Sequence, residues 1–509
     1  MSRVKYFATT FIWGASAKVL DAAAKFFTIP ILVRHFGVDQ FGLLSLAMAA
    51  NAYIQLLDMG INTGATKYFS EWIGSKQFET LHKAARASLS FYAGIGIINT
   101  IALIGLALYS SRIFNLPASQ CATLSELFFI LAGFSIFNWI STVFSQLLTS
   151  NEQLGYIQKL NIFRSFATLG LAFGTRYFNQ PVTVYFFVLS VINLVVIFPL
   201  ASKSLSENLI KSVMLTMDFS AFKPIFKYSM AIFAMGIFQF TASQSRPLIL
   251  SMFSIRGAAI NTEYRIMEVF PTFILSIGGI LLAVLLPASS RALQQKDTQL
   301  IEKIAYQGTT ITTLLICVLC FPVMLSSQNL LMLYVGSSYT HLWSWLVLWC
   351  ATIIGFMHFS PIASLTLASG KTKALVYSSS IACIISMIIN ALLCPKYGAG
   401  SAVIGYAVYI SIQMSAYYLY MIRKLLSLNP RKVFLRFAFP TLVGLACYLV
   451  VGFAIPQGTY GDLGMIASRI FAWVTLFGIA TIWFFRDSFP AMVLDRINGL
   501  RVALRLGGR

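Results

Sequence analysis

Charge is what this chain has least of. Lys, Arg, Asp and Glu make up 10% of its 509 residues, where soluble domains carry about a quarter. Acid is scarcer than base: 16 Asp and Glu stand against 37 Lys and Arg, for a formal net charge of +21. With 58% hydrophobic residues and a mean hydropathy of +0.78, a water-soluble fold would need an implausibly large buried core. The chain reads as an integral membrane protein. A basic balance can mark a nucleic-acid partner, but here the basic residues sit in short segments between apolar runs, which argues against one.

Other absences narrow the chemistry. The four histidines, His35, His82, His341 and His358, form no metal-ligand spacing, so no metal is expected. No P-loop, nucleophile elbow or dinucleotide fingerprint occurs, so neither ATP hydrolysis nor a cofactor is expected. Of the seven cysteines, Cys317 and Cys320 form a CxxC inside "ITTLLICVLCFPVML". There they read as small core hydrophobes rather than as a metal or redox pair. Charges interrupt the first apolar run, and no short apolar region precedes a small-residue cleavage site, so a cleavable signal peptide is not expected.

What the chain has in abundance is long apolar runs. A helix needs about 20 mainly apolar residues to cross a bilayer. Fourteen such segments can be marked, near 8–33, 41–64, 84–109, 123–149, 158–177, 180–201, 225–250, 262–289, 305–327, 342–369, 374–394, 400–421, 433–454 and 464–485. Their periodicity is helical or featureless, which favours helices over a barrel. The expected fold class is an all-α integral membrane protein of about 14 transmembrane helices.

Lys and Arg gather in alternate connections, as the positive-inside rule requires. One set holds Lys67, Lys76, Lys83 and Arg86, then Lys203, Lys211, Lys223 and Lys227, and continues to Arg431, Lys432 and Arg436 and the basic C-terminal segment. The other set holds only Arg34, Arg112, Arg176, Arg256 and Lys396. Both termini are therefore expected in the cytoplasm. The longest inner connection, 202–224, separates six spans in residues 1–201 from six in 225–422, leaving two additional helices and a basic tail in 423–509. "FAMGIFQFTASQSRPLILSMFSIRG" in the second set faintly repeats "FIWGASAKVLDAAAKFFTIPILVRHFG" in the first. Two related six-helix halves are a recurrent transporter layout.

Several spans carry charge. Lys18, Asp21 and Lys25 are spaced i, i+3 and i+7 on one helical face. Exposed to lipid they would cost on the order of 8–10 kcal/mol together. That face should therefore line protein or a wet cavity, or else form a buried structural ion pair. Asn51, Gln55 and Asp58 share a face of the second span, and Gln239, Ser243 and Arg246 one of the seventh. Glu263, Arg265 and Glu268 open the eighth, facing the cavity or snorkelling at the outer interface. Lone Asn138, Asn193, Asn390 and His358 read as helix–helix hydrogen bonds.

At this point the chain resembles a known family. "IPILVRHFGVDQFGLLSLAMAANAYIQLLDMGINTGATKYFSE" is similar to the opening of polysaccharide flippases of the multidrug/oligosaccharidyl-lipid/polysaccharide (MOP) superfamily, notably bacterial O-antigen flippases. The carrying features are an RxFGxxxFG-like turn (Arg34, Phe36, Gly37, Phe41, Gly42) and a D-x-G-I segment (Asp58, Gly60, Ile61). The resemblance is specific over about the first 90 residues and architectural beyond them.

It implies two six-helix bundles in a MATE-like arrangement around a central cationic cavity, with two C-terminal helices added. It also implies a non-enzymatic flippase that moves undecaprenyl-pyrophosphate-linked oligosaccharide, an O-antigen unit of lipopolysaccharide or a related repeat, across the bacterial inner membrane. A polymerase and a chain-length regulator of the same pathway would be its partners, with membrane lipids around it. The related lipid II flippase has essential bases on its first, second and eighth helices. Lys18, Lys25 and Arg265 occupy comparable places here, but the second helix offers Asp58 instead of a base.

On this reading Lys18, Lys25, Asn51, Gln55, Gln239, Arg246 and Arg265 line the substrate cavity. Asp21, Asp58, Glu263 and Glu268 couple an ion, H⁺ or Na⁺, or pair with the bases. Two rivals carry different sequence demands. A drug or cation antiporter of the same fold would prefer an acidic cavity. A glycan polymerase or ligase would need a sizeable outer loop, and the outer connections here run to about a dozen residues or fewer.

Overall fold

A computed structural model describes the backbone of residues 3–485, apart from 217, 219, 371, 372 and 460. Its side chains are described from Leu20 onward, except at those positions and at 231, 232, 235, 277–284, 286 and 287. The described residues form helices and no strand. In chain order they are α1 (Arg3–Ile54), α2 (Ile61–Gly74), α3 (Phe78–Leu108), α4 (Ser110–Ile113), α5 (Ala118–Ser150), α6 (Leu154–Tyr177), α7 (Val182–Val195), α8 (Ile197–Ser206), α9 (Lys223–Gln244) and α10 (Arg246–Phe253). There follow α11 (Ala259–Gln294), α12 (Thr298–Leu325), α13 (Ser327–Val335), α14 (Trp343–Met357), α15 (Ser360–Ala368), α16 (Lys373–Tyr397), α17 (Gly400–Ala416), α18 (Pro430–Ala454) and α19 (Asp462–Phe484).

Ten helical stretches among the described residues are long and apolar enough to cross a membrane. One of them, Leu20–Asp58, takes in parts of the first two expected spans. The outer surfaces are apolar: Ile98, Ile101, Phe163, Phe166, Leu392, Leu419, Phe453 and Trp483 are all exposed. A belt of that kind belongs against acyl chains.

The contacts divide the chain into two compact units, Met1–Val269 with Leu375–Tyr409, and Phe270–Ala374 with Ile410–Arg509. These units cut across chain order, because α16 and most of α17 pack with the first. In the first unit, α1 would reach roughly 78 Å if straight, more than twice a bilayer's hydrocarbon thickness. Gly37, at φ 76°, turns it. Gly42, the second glycine of the same motif, lies so close to the Ala258 carbonyl that any Cβ would collide with it. Both glycines of the family-like turn therefore have a structural reason: one breaks the helix and the other lets two backbones meet.

The core of this unit gathers Phe69, Trp72, Leu81, Tyr92, Trp139, Phe144 and Leu147 from α2, α3 and α5. The connection after α8 starts five residues later than the sequence indicates, since the helix runs to Ser206. It is strapped to α3. Arg86 Nε donates to the Met214 carbonyl at 3.0 Å, and the Thr216 amide donates to the Ser90 hydroxyl at 2.7 Å. Asp218 accepts from the Ser220 amide, and the Ser220 contacts hold its carboxyl below the usual range.

The second unit packs α12 against α14, α15, α18 and α19. The Phe321, Trp473 and Phe477 rings stack in sequence, with centroids 5.6 and 4.5 Å apart. Arg469 is buried in α19, where its guanidinium donates to the Ile455 and Leu325 carbonyls. His358 packs against the Phe437 ring and meets the Tyr418 hydroxyl at 3.0 Å. The helix–helix role expected of that histidine is what the structure shows.

Candidate functional site

The first unit encloses a cavity of about 630 Å³. Its lining comes from α1 and the turn after it, and from α2, α3, α5, α6, α7, α8 and α9, so no single helix defines it. Amides dominate the wall. Asn51, Gln55, Asn62, Asn99, Asn138 and Asn161 all face it, and Asn193 joins them from α7. Ser135, Ser141, Thr142 and Ser145 add hydroxyls from successive turns of α5. The formal charges are one carboxylate, Asp58, and one guanidinium, Arg164.

Asp58 is held in place from both sides. The chain turns sharply there, with Met59 at φ 48° and Gly60 at φ 71°. One carboxylate oxygen accepts the Asn62 amide at 3.3 Å, capping the start of α2. The other accepts the Tyr92 hydroxyl at 2.5 Å, and that hydroxyl in turn accepts Gln146 Nε2 at 2.8 Å. Tyr92 stacks on Trp139, which fixes its ring. Gln146 Oε1 is buried with no partner. A carboxylate anchored in this way is a fixed acceptor at the cavity edge.

Arg164 is different. No ion pair or hydrogen bond engages it among the described residues, and none joins it to Asp58. A half-buried guanidinium with five unused donors, opening on a polar cavity, is suited to gripping an anion.

Of the expected site residues, Asn51, Gln55 and Asp58 come together on the cavity wall. Lys25 pairs instead with Asp21 at 2.8 Å, one turn away on the same helix, and the two side chains are 65% and 42% exposed. Ser165 donates to the free oxygen of Asp21 at 3.3 Å. Lys18 belongs to α1, but its side chain lies outside the described residues. Gln239 is exposed, while its neighbour Phe240 lines the cavity. Arg246 lies over the Tyr406 ring at 4.4 Å, in a small recess with Ser245, Ser386 and Asn390.

The acidic residues at the start of α11 divide. Glu263 makes a two-pronged pair with Arg256 at 2.7 and 3.0 Å, whereas Glu268 pairs with Arg265 and accepts the Tyr264 hydroxyl at 3.0 Å. Asn390 accepts from the Ser401 hydroxyl, as a helix–helix contact should. Asn138 and Asn193, expected in that same role, line the cavity instead. Arg164 and the scattered asparagines were not legible as a site. Each is a lone polar group on its own helix, and only the packing of those helices makes them neighbours.

Comparison with known proteins places this geometry. Residues 23–174 match the MatE family. No curated protein matches the sequence. A structure of the lipid II flippase MurJ in an inward closed conformation is 13% identical and superposes with a TM-score of 0.72 over 95% of this chain and 99% of that one. An inward-facing multidrug resistance MATE transporter of the MOP superfamily is also 13% identical, with a TM-score of 0.64 over 81% of this chain and 95% of its own. A MOP superfamily transporter from Pyrococcus furiosus, described as having a binding pocket of reverse polarity, is 14% identical, with a TM-score of 0.57 over 81% of this chain and 94% of its own. The chain has the MATE- and MurJ-type fold.

Proposed function

We propose that this multi-pass membrane protein is a flippase of the MOP superfamily. On this reading it moves a polyprenyl-pyrophosphate-linked oligosaccharide, an O-antigen unit or a related repeat, from the inner to the outer leaflet of the bacterial inner membrane. The observation that carries this reading is the cavity lining. A wall of amides and hydroxyls matches the many donors and acceptors of a glycan, and the unengaged Arg164 matches the pyrophosphate. A dianionic head group cannot cross about 30 Å of hydrocarbon unaided, while the polyprenyl tail can remain in lipid. Alternating access of the transporter type would carry the head group across, with H⁺ or Na⁺ as the coupling ion and Asp58 or Asp21 as the titrating group. Likeness to a flippase over 95% of the chain, against 81% for the drug transporter, supports the same reading.

One observation favours a second reading. Asp58 is the carboxylate on the cavity wall, and a cation or drug antiporter needs such a group. Lipid II is a weaker candidate substrate, because Asp58 stands on the second span where that flippase has a base. The test is genetic. Cells lacking the protein should accumulate lipid-linked oligosaccharide and lose surface glycan, and wild-type protein should restore both, whereas Arg164→Gln should not. Normal surface glycan together with altered drug sensitivity in those cells would overturn the flippase reading in favour of the antiporter.

A further inference from the structure

The second unit holds a recess of about 490 Å³ that the transport reading does not use. It lies at the end of the unit away from the Lys- and Arg-rich connections. The start of α13, the 337–342 turn, the connection after α18 and the first residue of α19 form it. Its lining mixes polar side chains, Gln328, Asn329, Gln457 and Asp462, with the apolar Met332 and Trp343, the latter 40% exposed.

The polar side chains are organised in advance of any ligand. Asn329 Nδ2 donates to Asp462 Oδ1 at 2.8 Å, and Gln457 Nε2 donates to Gln328 Oε1 at 3.0 Å. These bonds join the start of α13 to the connection after α18 and to the first residue of α19, and fix the amide planes. Asn329 Oδ1, in a residue 8% exposed, has no partner. Buried polar atoms are rarely left so unless a ligand or water completes them. His341 also lines the recess, with its Nδ1 3.0 Å from the Ser338 carbonyl.

We infer that this recess is a carbohydrate-binding site on the outer face. Planar amides and a carboxylate offer both the acceptors and the donors that sugar hydroxyls require. An exposed indole offers an apolar plane to the C–H face of a pyranose ring. Among the described residues no Lys or Arg lines the recess, which disfavours phosphate and sets it apart from the Arg164 cavity. Its volume suits one or two sugar rings, within the range of small-ligand pockets. A protein partner would need roughly 800 Å² of complementary surface. A membrane-interface role explains an exposed Trp but not the ordered polar groups that line the same recess. The inference stands on this recess alone, whatever the first unit transports.

The full chain in lipid nanodiscs, probed with chitotriose, maltotriose and inorganic pyrophosphate by saturation-transfer NMR, tests it. At least one trisaccharide should give saturable transfer that pyrophosphate does not displace. Trp343→Ala and Gln457→Ala should each weaken it roughly tenfold, and Trp343→Phe should retain most of it. Melting temperatures of the three variants should match the wild type, since both side chains stand at the rim. The same saccharide carried on a polyprenyl lipid in the nanodisc separates the sources. Stronger transfer from the lipid-borne form identifies a translocated substrate, and equal transfer a soluble glycan. Absence of transfer from both forms, displacement by pyrophosphate, or full binding in Trp343→Ala would overturn the assignment. So would capture of a protein by a photo-reactive group at position 457 without any saccharide signal.

Discussion

At the scale of single residues, the two intramembrane bases with described side chains nearest the amide-rich wall differ in what already occupies them. Lys25 is paired with Asp21 at a largely exposed position, where such an i, i+4 pair contributes only about 0.3–0.5 kcal/mol. Arg164 has no partner among the described residues and opens on the cavity. Arg164→Gln should therefore leave the amount of membrane-inserted protein unchanged while weakening substrate binding roughly ten- to a hundredfold, the worth of a hydrogen bond to a charged group. Arg164→Lys should keep part of it. Transport and abundance measured together check this, and a loss of abundance matching the loss of transport would make Arg164 structural. Tyr92→Phe removes the hydroxyl between Asp58 and Gln146. Stranding both partners should cost about 1–3 kcal/mol, visible as a lower melting temperature of the purified protein. If Asp58 carries the coupling ion, Asp58→Asn should keep the fold but lose the dependence of transport on pH or Na⁺. Unchanged dependence would remove that role.

At the scale of elements, lipid tails are as apolar as a helix surface, so helices here gain little from burial alone. Close approach and hydrogen bonding hold them together. Helix α3 offers a controlled comparison. A Cβ on Gly96 would come within 2.7 Å of the Ile136 backbone on α5, whereas one on Gly94, two residues earlier, would meet nothing within 4 Å. Gly96→Ala should therefore destabilise the protein by about 1–3 kcal/mol, and Gly94→Ala should be neutral or slightly stabilising. Thermal unfolding of the two variants side by side decides it, and equal effects would contradict the close α3–α5 contact. In the second unit, Arg469 ties α19 to the ends of α12 and α18 through three donated hydrogen bonds. Arg469→Met should leave those carbonyls without donors and lower the yield of folded protein, while Arg469→Lys should recover part of it. Full yield from the Met variant would show the contacts to be dispensable.

At the scale of the whole molecule, the alternation of basic and base-poor connections makes a topology that can be read from outside the cell. All seven native cysteines are buried, so an introduced cysteine reports cleanly. Membrane-impermeant maleimide should label cysteines placed at 36 and 256 and leave those at 76 and 427 untouched. Labelling at 76 would invert the assignment of leaflets and, with it, the direction of transport. It would also move the sugar recess of the second unit to the cytoplasmic face.

Composition and the spacing of apolar runs were enough to establish a membrane protein of all-α class, because insertion is decided locally by the hydropathy of each 20-residue segment. The turn built on Gly37 and Gly42 was also readable, since a broken helix and a close backbone approach each demand glycine at a particular position. The polar triplet Asn51, Gln55 and Asp58 was legible for the same kind of reason: its members share one helical face and reach the cavity together. What the chain order concealed was everything assembled across helices. The gathering of Asn99, Asn138, Asn161 and Asn193 with Arg164 on one cavity wall, and the recess of Asn329, Trp343 and Asp462, each join residues from separate helices. A one-dimensional pattern records which face of a helix is polar. Which other polar face it meets is set by the packing of helices against one another, and that belongs to the tertiary structure.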